Sequence, residues 1–357
     1  MLKTIMVVDD NLVNLRYIEG QLSGHYRVIL AKSGEQALSI CARERPDIIL
    51  LDIEMPVMDG FETIARLKRD MVLSNIPVIF LTAHHDTATE VKGLESGAVD
   101  FITKPFEKSI LLHRLALHIL FAEYQRKLEN TVKELSDSLS SSFAALVECR
   151  DANTGGHIVR SSRYVAMLGR ELQRRDQFRE ELSDFQLDMM VRAAPLHDIG
   201  KVSVSDLILL KPAKLDEKEF EVMKSHTTLG ARIIKSMYDR TPTQRYLRYA
   251  TMIAEWHHEK YDGTGYPERL AGDDIPLCAK IMAVADVYDA LVDDRVYRKA
   301  LSHREAFDII MNGKGSHFDP RVVDAFETVS DEMEAESKKS VTVSNLAASE
   351  DRPLARI

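Results

Sequence analysis

The first ten residues, Met1-Leu-Lys-Thr-Ile-Met-Val-Val-Asp-Asp10, carry a short apolar run into a pair of acids. The run Thr4–Val8 reads as a strand, and similar runs recur at Arg27–Ala31, Asp47–Leu51, Ile76–Leu81 and Val99–Ile102. Between them, segments such as Gly34–Arg43 and Gly60–Asp70 space their apolar residues as amphipathic helices do. A β-then-α rhythm repeated five times predicts an α/β doubly wound domain over residues 1–120. Its five-stranded parallel sheet would be covered by helices on both faces. In such sheets functional groups gather beyond the carboxyl ends of the strands. Asp9 and Asp10 follow the first strand, Asp52 ends the third, Thr82 follows the fourth and Lys104 follows the fifth.

Outward from this sheet the pattern changes. Residues from about Ser109 to Arg150 contain no proline or glycine. Leu117, Phe121, Tyr124, Leu128, Val132, Leu135, Leu139, Phe143 and Leu146 recur there at steps of three and four. This is the seam of a long helix, and it predicts a linker over 121–145 that forms a short coiled coil and a homodimer. A single helix lying on its own domain is the alternative, and Thr131 and Ser142 interrupt the seam. From 146 to 330 helical patterns dominate: Ile158–Arg175, Phe185–Leu196, Glu217–Tyr238, Leu247–His257, Ala279–Val292 and Arg304–Met311. This part reads as an all-α domain. The stretch 331–357 is rich in Glu, Ser, Lys and Ala and poor in large apolar residues, so it is expected to be a disordered tail.

With 357 residues, 45% of them hydrophobic and 29% charged, the chain has the composition of a soluble two-domain protein. A formal net charge of −9 argues against general nucleic-acid binding, though not against a basic pocket for a small anion. No DNA-binding motif is present. Cys41, Cys149 and Cys278 lie far apart, which excludes both a disulfide framework and a thiolate zinc site. The first residues are too short and acidic for a signal peptide, and no apolar run is long enough to span a bilayer. A cytoplasmic location, without membrane insertion, is expected.

Asp9, Asp10 and Asp52 are expected to converge at the sheet edge. Three carboxylates so close repel one another and call for a cation, for which Mg²⁺ with its preference for oxygen is suited. A metal-shielded carboxylate can accept a phosphoryl group when a lysine, here Lys104, helps to neutralise developing charge and Thr82 offers a hydroxyl. A single acid at a strand end is ordinarily a helix N-cap. The whole ordered set, with the turn Met55-Pro-Val-Met-Asp-Gly60 behind Asp52, resembles a two-component receiver domain. The resemblance extends to Phe101 and Lys104-Pro105. It implies phosphorylation of Asp52 by a partner histidine kinase, and Mg²⁺ held by Asp10, Asp52 and the backbone carbonyl of Glu54, with Asp9 in support. Thr82 and Phe101 would form the switch pair.

The second half holds a different set of side chains. His197-Asp198 lies in Ala193-Ala-Pro-Leu-His-Asp-Ile-Gly-Lys201, and His226 in Val222-Met-Lys-Ser-His-Thr. Trp256-His-His-Glu259 precedes the turn Asp262-Gly-Thr-Gly-Tyr-Pro267, and Asp286 lies within the apolar run Ile281-Met-Ala-Val-Ala-Asp. His157 adds an earlier imidazole. An acid in so apolar a run should be paired or metal-bound. Asp198, next to His197 at a helix end, fits a carboxylate bridging two metals. Imidazoles mixed with carboxylates suit Fe, Mn, Zn, Ni or Co, and two such ions about 4 Å apart can drive phosphodiester hydrolysis. Lone histidines such as His25 and His303 read as structural. His84, His85, His113 and His118 show no metal-type spacing.

This region resembles the HD-GYP branch of the HD phosphohydrolases, through His-Asp-Ile-Gly-Lys (197–201), His-His-Glu-Lys-Tyr-Asp-Gly-Thr-Gly-Tyr-Pro (257–267) and Asp-Val-Tyr-Asp-Ala-Leu (286–291). Arg295-Val-Tyr-Arg-Lys299 and Gly315-Ser-His-Phe-Asp-Pro320 extend the match. The resemblance implies hydrolysis of cyclic-di-GMP to pGpG, in some members onward to GMP. It also implies metal ligation by His157, His197, Asp198, His226, His257, His258 and Asp286. Lys201 would contact the scissile phosphate, with Tyr266, Arg295 and Arg298 meeting the nucleotide. Members with a third metal carry a glutamate four residues before the first histidine. Asn153 stands there, which predicts two ions and slow onward cleavage of pGpG. Two other functions fit the motifs. One is a binding module that uses the Gly-Tyr-Pro loop to contact diguanylate cyclases. The other is a phosphodiesterase for cyclic GMP-AMP, an alarmone or a dNTP.

Overall fold

The computed structural model describes residues 2–70, 73–83, 87–150, 156–293 and 299–348, the side chains of 87–90 and 340–348 apart. It divides into two compact units, residues 1–133 and 134–357. The first alternates β1 (Thr4–Val8), α1 (Leu12–Leu22), β2 (Arg27–Ala31), α2 (Gly34–Cys41), β3 (Ile48–Asp52), α3 (Gly60–Arg69), β4 (Val78–Thr82), α4 (Thr87–Glu95) and β5 (Asp100–Thr103). The strands form one parallel sheet in the order β2-β1-β3-β4-β5. Successive residues of a strand face opposite sides. Met6, Val8, Ile49, Leu51, Val78 and Phe80 therefore pack with Ala37, Cys41, Ile64 and Leu67 of α2 and α3. Ile5, Val7, Ile48, Leu50, Ile79 and Leu81 pack on the other side with Leu15, Ile18 and Leu22 of α1 and with Leu111, Leu115 and Ile119. These last three begin α5 (Lys108–Glu148). The doubly wound receiver architecture is thus as the rhythm predicted, with β3 shifted one residue so that Asp52 closes it.

The whole span expected to form the long helix is helical, and its seam residues from Leu117 to Leu146 are all exposed. The second unit continues with α6 (His157–Arg174), α7 (Asp184–Ala193), α8 (Asp206–Leu209), α9 (Glu217–Arg240), α10 (Tyr246–Trp256), α11 (Leu277–Val292), α12 (His303–Asn312) and α13 (Pro320–Ala348). Its core gathers Tyr164, Leu168 and Leu172 of α6 with Ile281, Val284 and Tyr288 of α11 and Val322, Phe326 and Val329 of α13. The unit is all-α among the described residues, as its sequence pattern required.

Two expectations are corrected. The helix expected over Phe185–Leu196 stops at Ala193, and Ala194–Leu196 and Ile199–Ser203 are 3₁₀ turns. Pro195 lacks the N–H that would continue the α-helical ladder. Within the stretch expected to be a disordered tail, residues 331–348 are helical, because α13 runs on to Ala348. Val322, Phe326, Val329 and Met333 recur at steps of three and four and are buried, and Arg163 of α6 pairs with the buried Glu336. α6 supplies the covering surface that the tail's own composition does not reveal. Residues 349–357 lie outside the described residues.

Candidate metal centres

At the carboxyl edge of the sheet, Asp9, Asp10 and Asp52 offer oxygens within 4.8 Å of one another. Parallel pairing of β1 with β3 sets the two strand ends side by side. Lys104 donates to Asp9 Oδ2 at 2.8 Å and to Asp52 Oδ2 at 2.9 Å. Asp9 is fully buried and also accepts from the Asn11 backbone and the Asn14 amide. Burial raises the Asp52 pKa to about 6, against the opposing pull of Lys104. The turn behind Asp52 is tight. Val57 sits at φ 69, and a Cβ on Gly60 would lie 2.5 Å from the Asp52 carbonyl oxygen. Thr82 is buried and lines a small cavity with Ile53, Phe80 and Phe101. Asp10 and Glu54 are both exposed.

In the second unit two groups of donors meet at Asp198. His157, His197 and Asp198 form one group; Asp198, His226, His257 and His258 form the other. Asp286 Oδ1 lies 3.7 Å from His157 Nε2 and 3.8 Å from His197 Nε2, on the side of the first group. All seven residues predicted as ligands are therefore brought together. His197 and Asp198 occupy the junction between the two 3₁₀ turns, His197 capping the end of Ala194–Leu196 and Asp198 the start of Ile199–Ser203. Asp198 then reaches His226, Oδ1 to Nε2 3.3 Å. Such proximity needs Gly200. A Cβ there would lie 1.8 Å from the His226 carbonyl oxygen and 2.6 Å from the Gly230 nitrogen. α9 and the Ile199–Ser203 turn thus touch backbone to backbone.

The ring orientations are fixed from behind. Nδ1 of His197, His226 and His257 lies 2.9, 2.7 and 2.9 Å from the carbonyl oxygens of Ala194, Met223 and Ile253. A proton on each Nδ1 leaves a lone pair on Nε2 facing the centre. His226 Nε2, His257 Nε2 and Asp198 Oδ1 are buried without a hydrogen-bond partner. Buried polar atoms are seldom left so, and several converging on one spot fit divalent cations. Burial lowers the pKa of His226 and His258, and with help from His197 brings His257 to about 4, so these rings stay neutral donors. Burial also disfavours a charged His197, but Asp198 and Asp286 outweigh it and raise His197 to about 9.

The sequence reading missed the support behind His157. Its Nδ1 lies 2.7 Å from Asp289 Oδ2, and Arg160 grips Asp289 with Nε at 2.6 Å and Nη2 at 2.9 Å. Arg160 and Asp289 are both buried. A second acid one helical turn after Asp286 was the available signal. Lys201 Nζ contacts Asp198 Oδ2 at 2.8 Å. Tyr266 stacks on His258 with ring centroids 4.9 Å apart. It also borders an open cavity of about 780 Å³ shared with Phe220, Lys224, Lys260 and Arg269. Glu259, also missed, is buried and accepts from the Glu268 backbone at 2.7 Å, tying down the loop that presents Tyr266. His303 donates or accepts at the Tyr288 hydroxyl, 2.9 Å away, the structural role expected of it. Asn153, Arg295, Arg298, His84 and His85 lie outside the described residues.

Comparison with known proteins extends the picture. Residues 5–116 match the response regulator receiver domain and residues 141–322 match the HD domain. Over 339 residues the chain is 42% identical to a probable cyclic di-GMP phosphodiesterase of Vibrio cholerae, covering 90% of this chain and 77% of that one. The cyclic di-GMP phosphodiesterase response regulator RpfG of Xanthomonas campestris is 35% identical over 90% of this chain and 86% of its own length. A 3'3'-cGAMP-specific phosphodiesterase of Vibrio cholerae is 38% identical over 54% of this chain and 34% of its own. Among the described residues no helix is long and apolar enough to cross a membrane.

Proposed function

The chain belongs to the response regulators that join a receiver domain to an HD domain, and from that premise we propose the activity of its second unit. That unit hydrolyses cyclic-di-GMP to pGpG, with slow onward cleavage to GMP, at a binuclear metal centre controlled by phosphorylation of Asp52. The observation that carries this reading is the convergence of five imidazoles, those of His226, His257 and His258 held neutral, on a shared carboxylate, with unpartnered donor atoms turned inward.

His157, His197, Asp198 and Asp286 would hold one ion, and Asp198, His226, His257 and His258 the other. Fe, Mn, Ni, Co or Zn suits such donors. Bound there, two divalent cations supply positive charge for the phosphodiester oxygens and make an attacking water more acidic. The protein's own residues orient the substrate. Lys201, held by Asp198, presents an ammonium to the scissile phosphate. Tyr266 offers a ring face for a guanine. Lys224, Lys260 and Arg269 give the adjoining cavity the charge an anionic dinucleotide requires. Arg295 and Arg298 complete the nucleotide contacts in this reading.

In the receiver, Asp10, Asp52 and the Glu54 carbonyl, with Asp9 in support, would hold Mg²⁺, which would supply positive charge while Asp52 accepts a phosphoryl group from a histidine kinase. Thr82 and Phe101 report the modification. The exposed seam of α5 pairs two copies as a homodimer, and the Tyr266 loop also offers a contact for diguanylate cyclases.

The test is direct. Protein loaded anaerobically with Fe²⁺, or with Mn²⁺, is incubated with cyclic-di-GMP, and pGpG is resolved from GMP. Activity that disappears in His197→Ala supports the reading, whereas inactivity with every metal leaves only a binding role. The likeness to a cGAMP-specific enzyme favours a second substrate reading, so 3'3'-cGAMP is run alongside. Turnover compared with and without beryllofluoride reads the control by Asp52; equal rates refute it.

A further inference from the structure

Glu148, the last residue of α5, is 8% exposed, and neither carboxylate oxygen has a hydrogen-bond partner. It lines one small cavity with His157, His197, Asp198 and Lys201. Burial raises its pKa, the direction expected for a carboxylate denied water. Its place in the chain adds to the cost. The C-terminus of a helix carries partial negative charge, so an acid there meets unfavourable carbonyl dipoles. The arginine two residues on does not relieve it. Arg150 turns to the carbonyls of Val202 and Val204 and to Asp206 instead.

A buried acid without a partner is costly unless a cation stands near it. We propose that Glu148 is the charge partner of the cation on the His157–His197 side of the centre. It acts as a positioning residue that strengthens this ion's binding. The inference rests on the binuclear reading above.

Mn²⁺ binding to the full-length chain tests it by calorimetric titration and electron paramagnetic resonance, with parent and variants stripped of metal beforehand and all carrying Asp10→Ala and Asp52→Ala, which remove the receiver's own cation site. The parent is expected to bind two ions. Glu148→Gln, which keeps the shape and removes the charge, should weaken one of them by about tenfold or more and leave the other unchanged. Glu148→Asp, which keeps the charge, should restore most of the affinity. A thermal melt gives an independent readout. Without metal, Glu148→Gln should melt no lower than the parent, because an unpaired buried acid has been removed. With Mn²⁺ the order should reverse. Two ions bound by Glu148→Gln with parental affinity overturn the proposal. So does a metal-free variant that melts below the parent, which assigns Glu148 a purely structural role. A parent that binds fewer than two ions defeats the binuclear reading itself, a different and recognisable result.

Discussion

Gly200→Ala tests whether the centre depends on backbone contact between the Ile199–Ser203 turn and α9. The added Cβ would sit 1.8 Å from the His226 carbonyl oxygen, and real Cβ contacts essentially never fall below 3.0 Å. The two segments must therefore separate by about 1.2 Å. No flexible side chain can absorb this, because the opposing atoms are backbone of His226 and Gly230. Overpacking of this kind costs about 1–3 kcal/mol, and rigid neighbours on both sides place this site at about 3 kcal/mol. For a unit of this size that lowers the melting temperature by about 6–12 °C. Asp198 and His226 stand on opposite sides of the gap, so the same movement separates ligands now 3.3 Å apart. A misplacement of about 1 Å costs about a hundredfold in rate. Gly20→Ala is the matched control. Nothing lies within 4 Å of its Cβ in α1, so this change should stabilise the receiver by about 0.4–1 kcal/mol. Melting curves, Mn²⁺ content and cyclic-di-GMP turnover check both variants. A Gly200→Ala protein with parental stability, metal content and rate would refute the close-approach argument.

Three further outcomes can be checked. Asp289→Asn removes the charge that orients His157, and Mn²⁺ affinity should fall by about 10–100-fold in a direct titration; unchanged affinity would reduce Asp289 to an anchor for Arg160. Of the three cysteines only Cys149 is exposed, while burial pushes the Cys41 and Cys278 thiols up to about 11 and about 12. A thiol reagent near neutral pH should therefore modify one cysteine per native chain and three after denaturation. Chelation should lower the melting temperature of the second unit, and readdition of Mn²⁺ at a hundred times its dissociation constant should return about 2.7 kcal/mol for each ion bound.

The sequence revealed those parts of the fold that depend on short-range pattern. Strand ends and acids coincide in one receiver-type order, and the histidine motifs each sit within a few residues of a turn. What it hid depends on partners distant along the chain. Arg160 and Asp289 lie 129 residues apart, and neither helix alone says that the arginine is buried. Nothing in the helical pattern around Glu148 marks it as buried, because its burial is set by His157 and Pro195 from other elements. The end of the chain misled for a related reason. Its apolar residues are few, but they fall on one face of α13, and α6, α11 and α12 together cover that face. Pro195 was visible, yet its consequence, a break that leaves His197 and Asp198 at the junction of two 3₁₀ turns, was not drawn from it.

The two acidic centres meet the same electrostatic problem differently, and the difference has a measurable consequence. In the receiver, Lys104 contacts both Asp9 and Asp52, so the protein supplies a cation of its own. Asp10 stays in contact with water, where its charge costs little. The receiver can therefore remain folded without a bound cation. In the second unit Lys201 answers Asp198, but Glu148 is unpartnered and buried imidazoles keep their lone pairs without donors. Those groups lose their water on folding and regain a partner only with bound ions. Chelation should accordingly separate the two units in a calorimetric scan, lowering the transition of residues 134–357 and leaving that of residues 1–133 nearly in place. Equal shifts in both transitions would mean that Lys104 does not compensate the receiver's acids, and Lys104→Ala should then leave the metal-free receiver as stable as the parent.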